Sequence, residues 1–139
     1  MSRSEEEQLV AVVRGSRWFL EVLATVRESG LPDAWVGAGA VRDLVWSTRL
    51  GRFDPGETRD VDVPYFDPAD LCRERDDAAD AVLRALRSEV PWEAKNQAAV
   101  HTWYAARFGG TPYPPAVSIA DAVARWPETA TRCEWSAPD

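Results

Sequence analysis

Hydrophobic positions along the chain fall into alternating helical and strand-like periods. Leu9, Val12 and Val13 recur at helical spacing behind Ser4 and Glu7, a capping-box pair that is expected to open a short first helix. A second helix is expected over residues 16–29, with Phe19, Val22, Leu23 and Val26 on its inner stripe. Gly30 stops it, and Leu31-Pro32-Asp33 makes a turn. The apolar segment Ala34-Trp35-Val36 reads as a strand. It runs through Gly37-Ala38-Gly39-Ala40 into a helix carrying Val41, Leu44, Val45 and Thr48, which Gly51 closes. Asp60-Val61-Asp62-Val63 alternates with period two, and Pro64 ends that strand or places it at an edge.

The second half continues the alternation. Ala78, Val82, Leu86 and Val90 fall on one stripe of a long helix expected over residues 68–88, capped by Asp67 and Asp70. Asp76, Asp77 and Asp80 form its charged outer face. A brief strand follows over residues 90–95, then a helix over 97–108 that Asn96 and Gln97 cap, with Val100, Trp103 and Tyr104 inward. Ser118 and Asp121 open a last short helix that ends before Pro127, and the tail 128–139 is expected to be poorly ordered. The whole pattern indicates an α/β or α+β chain with one small sheet.

At 139 residues the chain is expected to be a single domain, 1–139, with a core that needs no disulfide or metal staple. Its net charge of −7 argues against a nucleic-acid partner, because neutralising phosphates supplies most of the non-specific affinity in such binding. No apolar run is long enough to span a bilayer, and the acidic start does not resemble a signal peptide. Cys72 and Cys133 match no metal spacing and read as reduced thiols of a cytoplasmic protein. The seven Trp are scattered, so most are expected in the core.

The chemistry concentrates between Gly37 and Asp62. A strand that turns through small residues into a helix exposes backbone N–H groups at the positive end of the helix dipole, where phosphate binds. Asp60 and Asp62, two apart on a strand, leave the same face. Carboxylates that close repel unless a cation neutralises them, and Mg²⁺ is commonly held by one or two carboxylates together with substrate phosphates. In the strand around residue 93, Trp92 and Ala94 share one face and Glu93 and Lys95 the other. If that second face meets the Asp pair, Glu93 completes an acidic cluster and Lys95 reaches a triphosphate.

The run Trp35-Val36-Gly37-Ala38-Gly39-Ala40-Val41-Arg42-Asp43-Leu44, with Asp60-Val61-Asp62-Val63 after it, resembles the polymerase-beta-type nucleotidyltransferase signature. It is similar to the Gly-Gly-x-Val-Arg-Asp form of tRNA CCA-adding enzymes and bacterial poly(A) polymerases. Residues 60–67, 92–97 and 126–129 further resemble a small, largely uncharacterised bacterial family of nucleotidyltransferase-like proteins. The resemblance implies a small mixed sheet flanked by helices and two-metal transfer of a nucleoside monophosphate from an NTP to a hydroxyl. Mg²⁺ or Mn²⁺ would sit on Asp60, Asp62 and Glu93, with Glu93 helping to deprotonate the acceptor. Gly37, Gly39 and Ala40 would cradle the phosphates, with Arg42 and Lys95 as further nucleotide contacts. The sequence departs from the pattern where Gly39-Ala40 stands for the usual Gly-Ser pair, which removes one hydroxyl contact, and where no large basic C-terminal region follows.

Other readings stay open at this point. Gly37-x-Gly39-x-x-Arg42 half-matches a dinucleotide-binding fingerprint, although Arg42 stands where that pattern has its third glycine. Asp60 and Asp62 also suit a solvated strand face, Glu93 and Lys95 a plain surface strand, and Arg42 and Asp43 local structural pairs. His101 reads as a packing residue, and Trp126 as a helix stop or a stacking platform. The favoured reading is a metal-dependent nucleotidyltransferase acting on a small-molecule or protein hydroxyl. The alternative is a catalytically decayed fold that serves as a nucleotide-binding or interaction module.

Overall fold

The computed structural model describes residues 3–51, 54, 60–104, 106, 109 and 114–125. Two helices open the chain, α1 (Arg3–Gly15) and α2 (Arg17–Glu28). Ser4 lies inside α1 rather than at its cap. At α2 the Ser16 hydroxyl accepts from the Phe19 N–H, and Phe19, Val22, Leu23 and Val26 are all buried, as their spacing requires. Gly30, at φ 74°, makes the left-handed turn out of α2 that a side chain would strain. The helix α3 (Ala38–Arg49) follows, then strand β1 (Val61–Tyr65), helix α4 (Arg73–Leu86) and strand β2 (Trp92–Asn96). A 3-10 helix (Gln97–Thr102) and α5 (Ile119–Ala124) complete the described elements.

β1 and β2 pair in parallel through the α4 crossover, as parallel neighbours must be joined. Residues 34–37 lie antiparallel along the other edge of β1, so the small sheet is mixed. Trp35 N–H donates to the Pro64 carbonyl at 2.9 Å and Gly37 N–H to the Asp62 carbonyl at 2.7 Å, while Phe66 N–H donates to Pro32 at 3.0 Å. The segment expected as a full strand thus contributes a single bridge at Val36. Pro64 sits inside β1, not at its end. In a parallel ladder alternate residues face each neighbour, and Val61, Val63 and Tyr65 face β2, so Pro64 removes nothing from that pairing. One face of the sheet, built from Val61, Val63, Tyr65, Trp92 and Ala94, is buried with the inner stripes of α2, α3 and α4.

The outer edge of β2 is closed by acidic side chains. Asp80 Oδ1 accepts from Ala94 N–H at 2.8 Å, and Asp76 Oδ1 accepts from Asn96 N–H at 2.8 Å and from the Tyr65 hydroxyl. Two residues one helical turn apart therefore satisfy two N–H groups two residues apart on an edge strand, which blunts it against further pairing. This corrects the reading of Asp76 and Asp80 as a solvated outer face. It also corrects the inner stripe of α4: Ala79 and Leu83 are buried, whereas Ala78 is exposed and Val82 and Leu86 are more than one-third exposed. Turning the two Asp toward β2 rotates the helix by about one residue relative to its apolar pattern.

Asn96 fixes the far end of the strand pair. Its Oδ1 accepts from Asp67 N–H and Ala98 N–H, capping the 3-10 helix, and its Nδ2 donates to the carbonyls of Asp67 and Asp70. The buried amide thereby uses all its hydrogen-bonding capacity. Asp67 and Asp70 do not cap α4, whose N-cap is Cys72. Asp70 accepts from Cys72 N–H, and Asp67 accepts from Ala69 N–H and pairs with Arg75 at 2.9 Å. The helix expected over 97–108 begins as the 3-10 turn, with Val100 buried and Tyr104 exposed. Ser118 caps α5 by accepting from Asp121 N–H, as expected.

Of the Trp, only Trp92 is buried among the described residues. Trp18, Trp35 and Trp103 are partly covered and Trp46 is 61% exposed, so the expectation of a mostly buried set is not met. The tail 128–139, Trp126 and Cys133 lie outside the described residues, as do residues 52–53 and 55–59.

The orientation of α4 makes a direct prediction. Leu83→Ala should cost about 2–5 kcal/mol, the range for a truncated core leucine. Val82→Ala should change stability by no more than about 0.5 kcal/mol, as exposed positions do. Urea denaturation of the two variants distinguishes this orientation from the one in which Val82 faces the core.

Candidate functional site

The parallel register sets Asp62 of β1 opposite Glu93 of β2, and partners in register project from the same face. That face is the one turned away from the buried Val61, Val63, Trp92 and Ala94. Asp60, two residues before Asp62 and exposed, precedes the strand with the same parity. Lys95 follows Glu93 by two, and its Nζ lies 3.3 Å from Glu93 Oε1. Alternation along two strands thus brings Asp60, Asp62, Glu93 and Lys95 to one surface.

The electrostatics bear this out. Burial raises the Asp62 carboxyl above its ordinary value, the charges of Glu93 and then Asp60 raise it further, and Lys95 alone opposes them. Asp62 is half-buried while Glu93 and Lys95 are partly open to water. A partly desolvated carboxylate among like charges is a group whose ionised form is kept at a cost. Perturbed groups of this sort cluster at functional sites.

Gly37 is buried directly against Asp62. A Cβ at Gly37 would stand 3.1 Å from Asp62 Cβ and 3.4 Å from the Asp62 carbonyl oxygen. Its backbone is extended, so the glycine is required by close approach and not by an unusual φ. Gly37 is also the N-cap of α3 and has no side chain to cap it, so the first N–H groups of α3 emerge beside Asp62. The start of the helix and the acidic face are therefore adjacent, which is the juxtaposition the sequence pattern suggested.

Other expected site residues divide. Gly39 lies in the first turn of α3. Ala40 is fully buried and packs in the core, with no exposed surface of its own. Arg42 and Asp43 are exposed on α3, and neither makes an ion pair among the described residues. His101 belongs to the 3-10 helix, and its Nδ1 is buried without a hydrogen-bond partner. Sequence reasoning missed the Asp76–Asp80–Asn96 set that holds β2. Its only signal was two Asp at i, i+4 just before a strand.

The exposed donors at the site are carboxylates, which suits a hard divalent cation. As the side chains stand, no three His, Cys, Asp or Glu residues among those described converge closely enough to enclose a metal. Mg²⁺ does not require such a cage, since one or two carboxylates and the substrate's phosphates complete its shell. The residues present fit that mode of binding.

Comparison with known proteins gives a consistent picture. A family model described as nucleotidyltransferase matches residues 24–133. A solved NMR structure, described as revealing a CCA-adding enzyme head domain, is 28% identical with a TM-score of 0.69. The match covers 91% of this chain and 62% of that one, so the chain spans less than two-thirds of the solved protein. No curated protein matches the chain. No helix among the described residues is long and apolar enough to cross a membrane.

The raised Asp62 carboxyl makes a signed prediction. Its folded value lies above its ordinary 3.8, so ionising it opposes folding. That penalty is complete at neutral pH, shrinks as pH falls through the folded value, and is gone below the unfolded one. Asp62→Asn should therefore melt higher than wild type at pH 7 in EDTA, and the gain should disappear near pH 3.5. A variant that melts lower than wild type at pH 7 would contradict the assignment of the shift to burial and like charge.

Proposed function

The chain belongs to the nucleotidyltransferase family, and on that premise we propose that it moves a nucleoside monophosphate from an NTP to a hydroxyl of a small molecule or a protein, using Mg²⁺ or Mn²⁺. The observation that carries the reading is the Asp62–Glu93 register beside the start of α3. It supplies a carboxylate pair that calls for a cation and, next to it, a helix terminus suited to phosphate.

In this reading Asp60 and Asp62 hold the metal, with Glu93 as the third carboxylate. A divalent ion bound there supplies charge neutralisation at the α-phosphate and lowers the pKa of an acceptor oxygen that it touches. The chain's own groups do the rest. The N–H groups at the start of α3, around Gly37 and Gly39, orient the phosphates, and exposed Arg42 reaches toward the nucleotide. Glu93 takes the acceptor's proton as the acceptor oxygen bonds to the α-phosphorus. The bond from that phosphorus to the bridging oxygen breaks, and pyrophosphate leaves with its electron pair.

The neighbouring structure is described as a CCA-adding enzyme head domain. For this chain a small-molecule or protein acceptor is favoured, because a net charge of −7 opposes a polyanionic RNA. A cytoplasmic setting suits a reaction that draws on NTP. The second reading, a decayed fold that binds nucleotide without turnover, is favoured by the burial of Ala40 where the family pattern has a hydroxyl.

Thermal melts with Mg²⁺ or Mn²⁺ and each NTP test the site. Ligand at a hundred times its dissociation constant stabilises by about 2.7 kcal/mol, a midpoint shift of several degrees at this chain length. The shift should require metal and vanish in Asp60→Asn/Asp62→Asn. Pyrophosphate release in the presence of acceptor hydroxyls then separates the two readings. No shift with any nucleotide, or an equal shift in the double variant, would remove the Asp pair from the site.

A further inference from the structure

The acidic face carries a cation of its own. Lys95 projects from β2 on the side of Glu93, with Nζ 3.3 Å from Glu93 Oε1. Opposite Lys95 in the β1–β2 register stands Pro64, which is uncharged, so β1 offers Lys95 no second acid at that level. Asp60, Asp62 and Glu93 contribute three negative charges and Lys95 one positive, leaving −2, the charge that a single divalent ion balances. The ion pair is open to solvent, with side chains 49% and 43% exposed, and exposed pairs of this kind are weak. A lysine is also a compact charge on a flexible stem, free to change partners without moving the backbone.

Resting on the nucleotidyltransferase reading above, we propose that Lys95 is a stand-in cation that neutralises Glu93 until a divalent ion takes the carboxylate, and then transfers to the nucleotide's phosphates. An incoming divalent ion competes with the ammonium for the same oxygen and repels it. The triphosphate arriving at the start of α3 offers the released ammonium a new anion, within reach of a side chain two residues from Glu93. One residue thereby has two opposed effects, holding off bare metal and favouring metal that arrives with nucleotide.

The test is Lys95→Gln, which keeps length and polarity at a surface position and removes the charge. Free Mn²⁺ is titrated by electron paramagnetic resonance. Binding of Mn²⁺ with α,β-methylene analogues of the four NTPs is followed by calorimetry, with circular dichroism confirming an unchanged fold. Lys95→Gln should bind Mn²⁺ alone about three- to fivefold tighter, the factor that an exposed ion pair is worth. It should bind the Mn²⁺–nucleotide about tenfold weaker, the loss of one charge-assisted contact. Lys95→Arg should stay close to wild type in the first measurement. Unchanged or weaker Mn²⁺ binding by Lys95→Gln overturns the proposal, as does tighter Mn²⁺ binding with unaltered nucleotide affinity. A wild-type protein that binds neither Mn²⁺ nor Mn²⁺–nucleotide overturns the reading of the site itself, and this proposal with it.

Discussion

The parallel pairing of β1 with β2 is the constraint on which the site depends. Because the register places Asp62 against Glu93, two carboxylates that are 31 positions apart in the chain share one face of a five-residue strand pair. A slip of one residue in either strand would turn its acid, Asp62 or Glu93, toward the core and its apolar partner, Val61 or Trp92, toward water. The buried side chains that make such a slip costly, Val61, Val63, Trp92 and Ala94, are therefore also what aims the acids outward.

Three further devices lock that register. Asp76 and Asp80 bind the free N–H groups of β2, Asn96 ties the end of β2 to the loop that leaves β1, and Gly37 lets the start of α3 close onto Asp62. Burial raises the Asp80 carboxyl as it does that of Asp62, even though the Ala94 N–H works in the opposite direction. The Tyr65 hydroxyl is pushed well up by burial and by donating to Asp76, which keeps it a neutral donor. The fold thus spends its acids in two ways. Asp76 and Asp80 of α4 accept from backbone N–H groups, while those on the sheet face are left with one lysine among three carboxylates. That imbalance leaves the sheet face net negative, and ionising Asp62 there opposes folding.

Much of this was legible in the sequence because it follows from short-range geometry. Period-two alternation in Asp60-Val61-Asp62-Val63 and in Trp92-Glu93-Ala94-Lys95 already separates core from acid face, and Ser118 announces the helix it caps. What alternation leaves open is which strands pair and in what register, since that is decided by long-range packing. The same limit explains the error on α4. Its Ala78, Val82 and Leu86 stripe is a good helical pattern, but the carboxylates of Asp76 and Asp80 find backbone donors on β2 and turn the helix. Acidic residues on a helix are usually solvated, so nothing local marks these two as internal ligands of a strand. Ala40 stands at a motif position in the sequence, but its methyl packs in the core. The burial of Gly37 against Asp62 shows in turn that this glycine has a packing role independent of any ligand.

We propose that Asp62 and Glu93 form, with Asp60, a divalent-cation site beside the start of α3. The most direct test is a crystal structure with Mn²⁺ and a non-hydrolysable NTP analogue, examined for anomalous scattering from manganese. The expected result is a peak within coordination distance of Asp62, shared with Asp60 or Glu93, and phosphate oxygens near the N-terminus of α3. Manganese and nucleotide bound elsewhere, with Asp62 and Glu93 still facing solvent without metal, would contradict it.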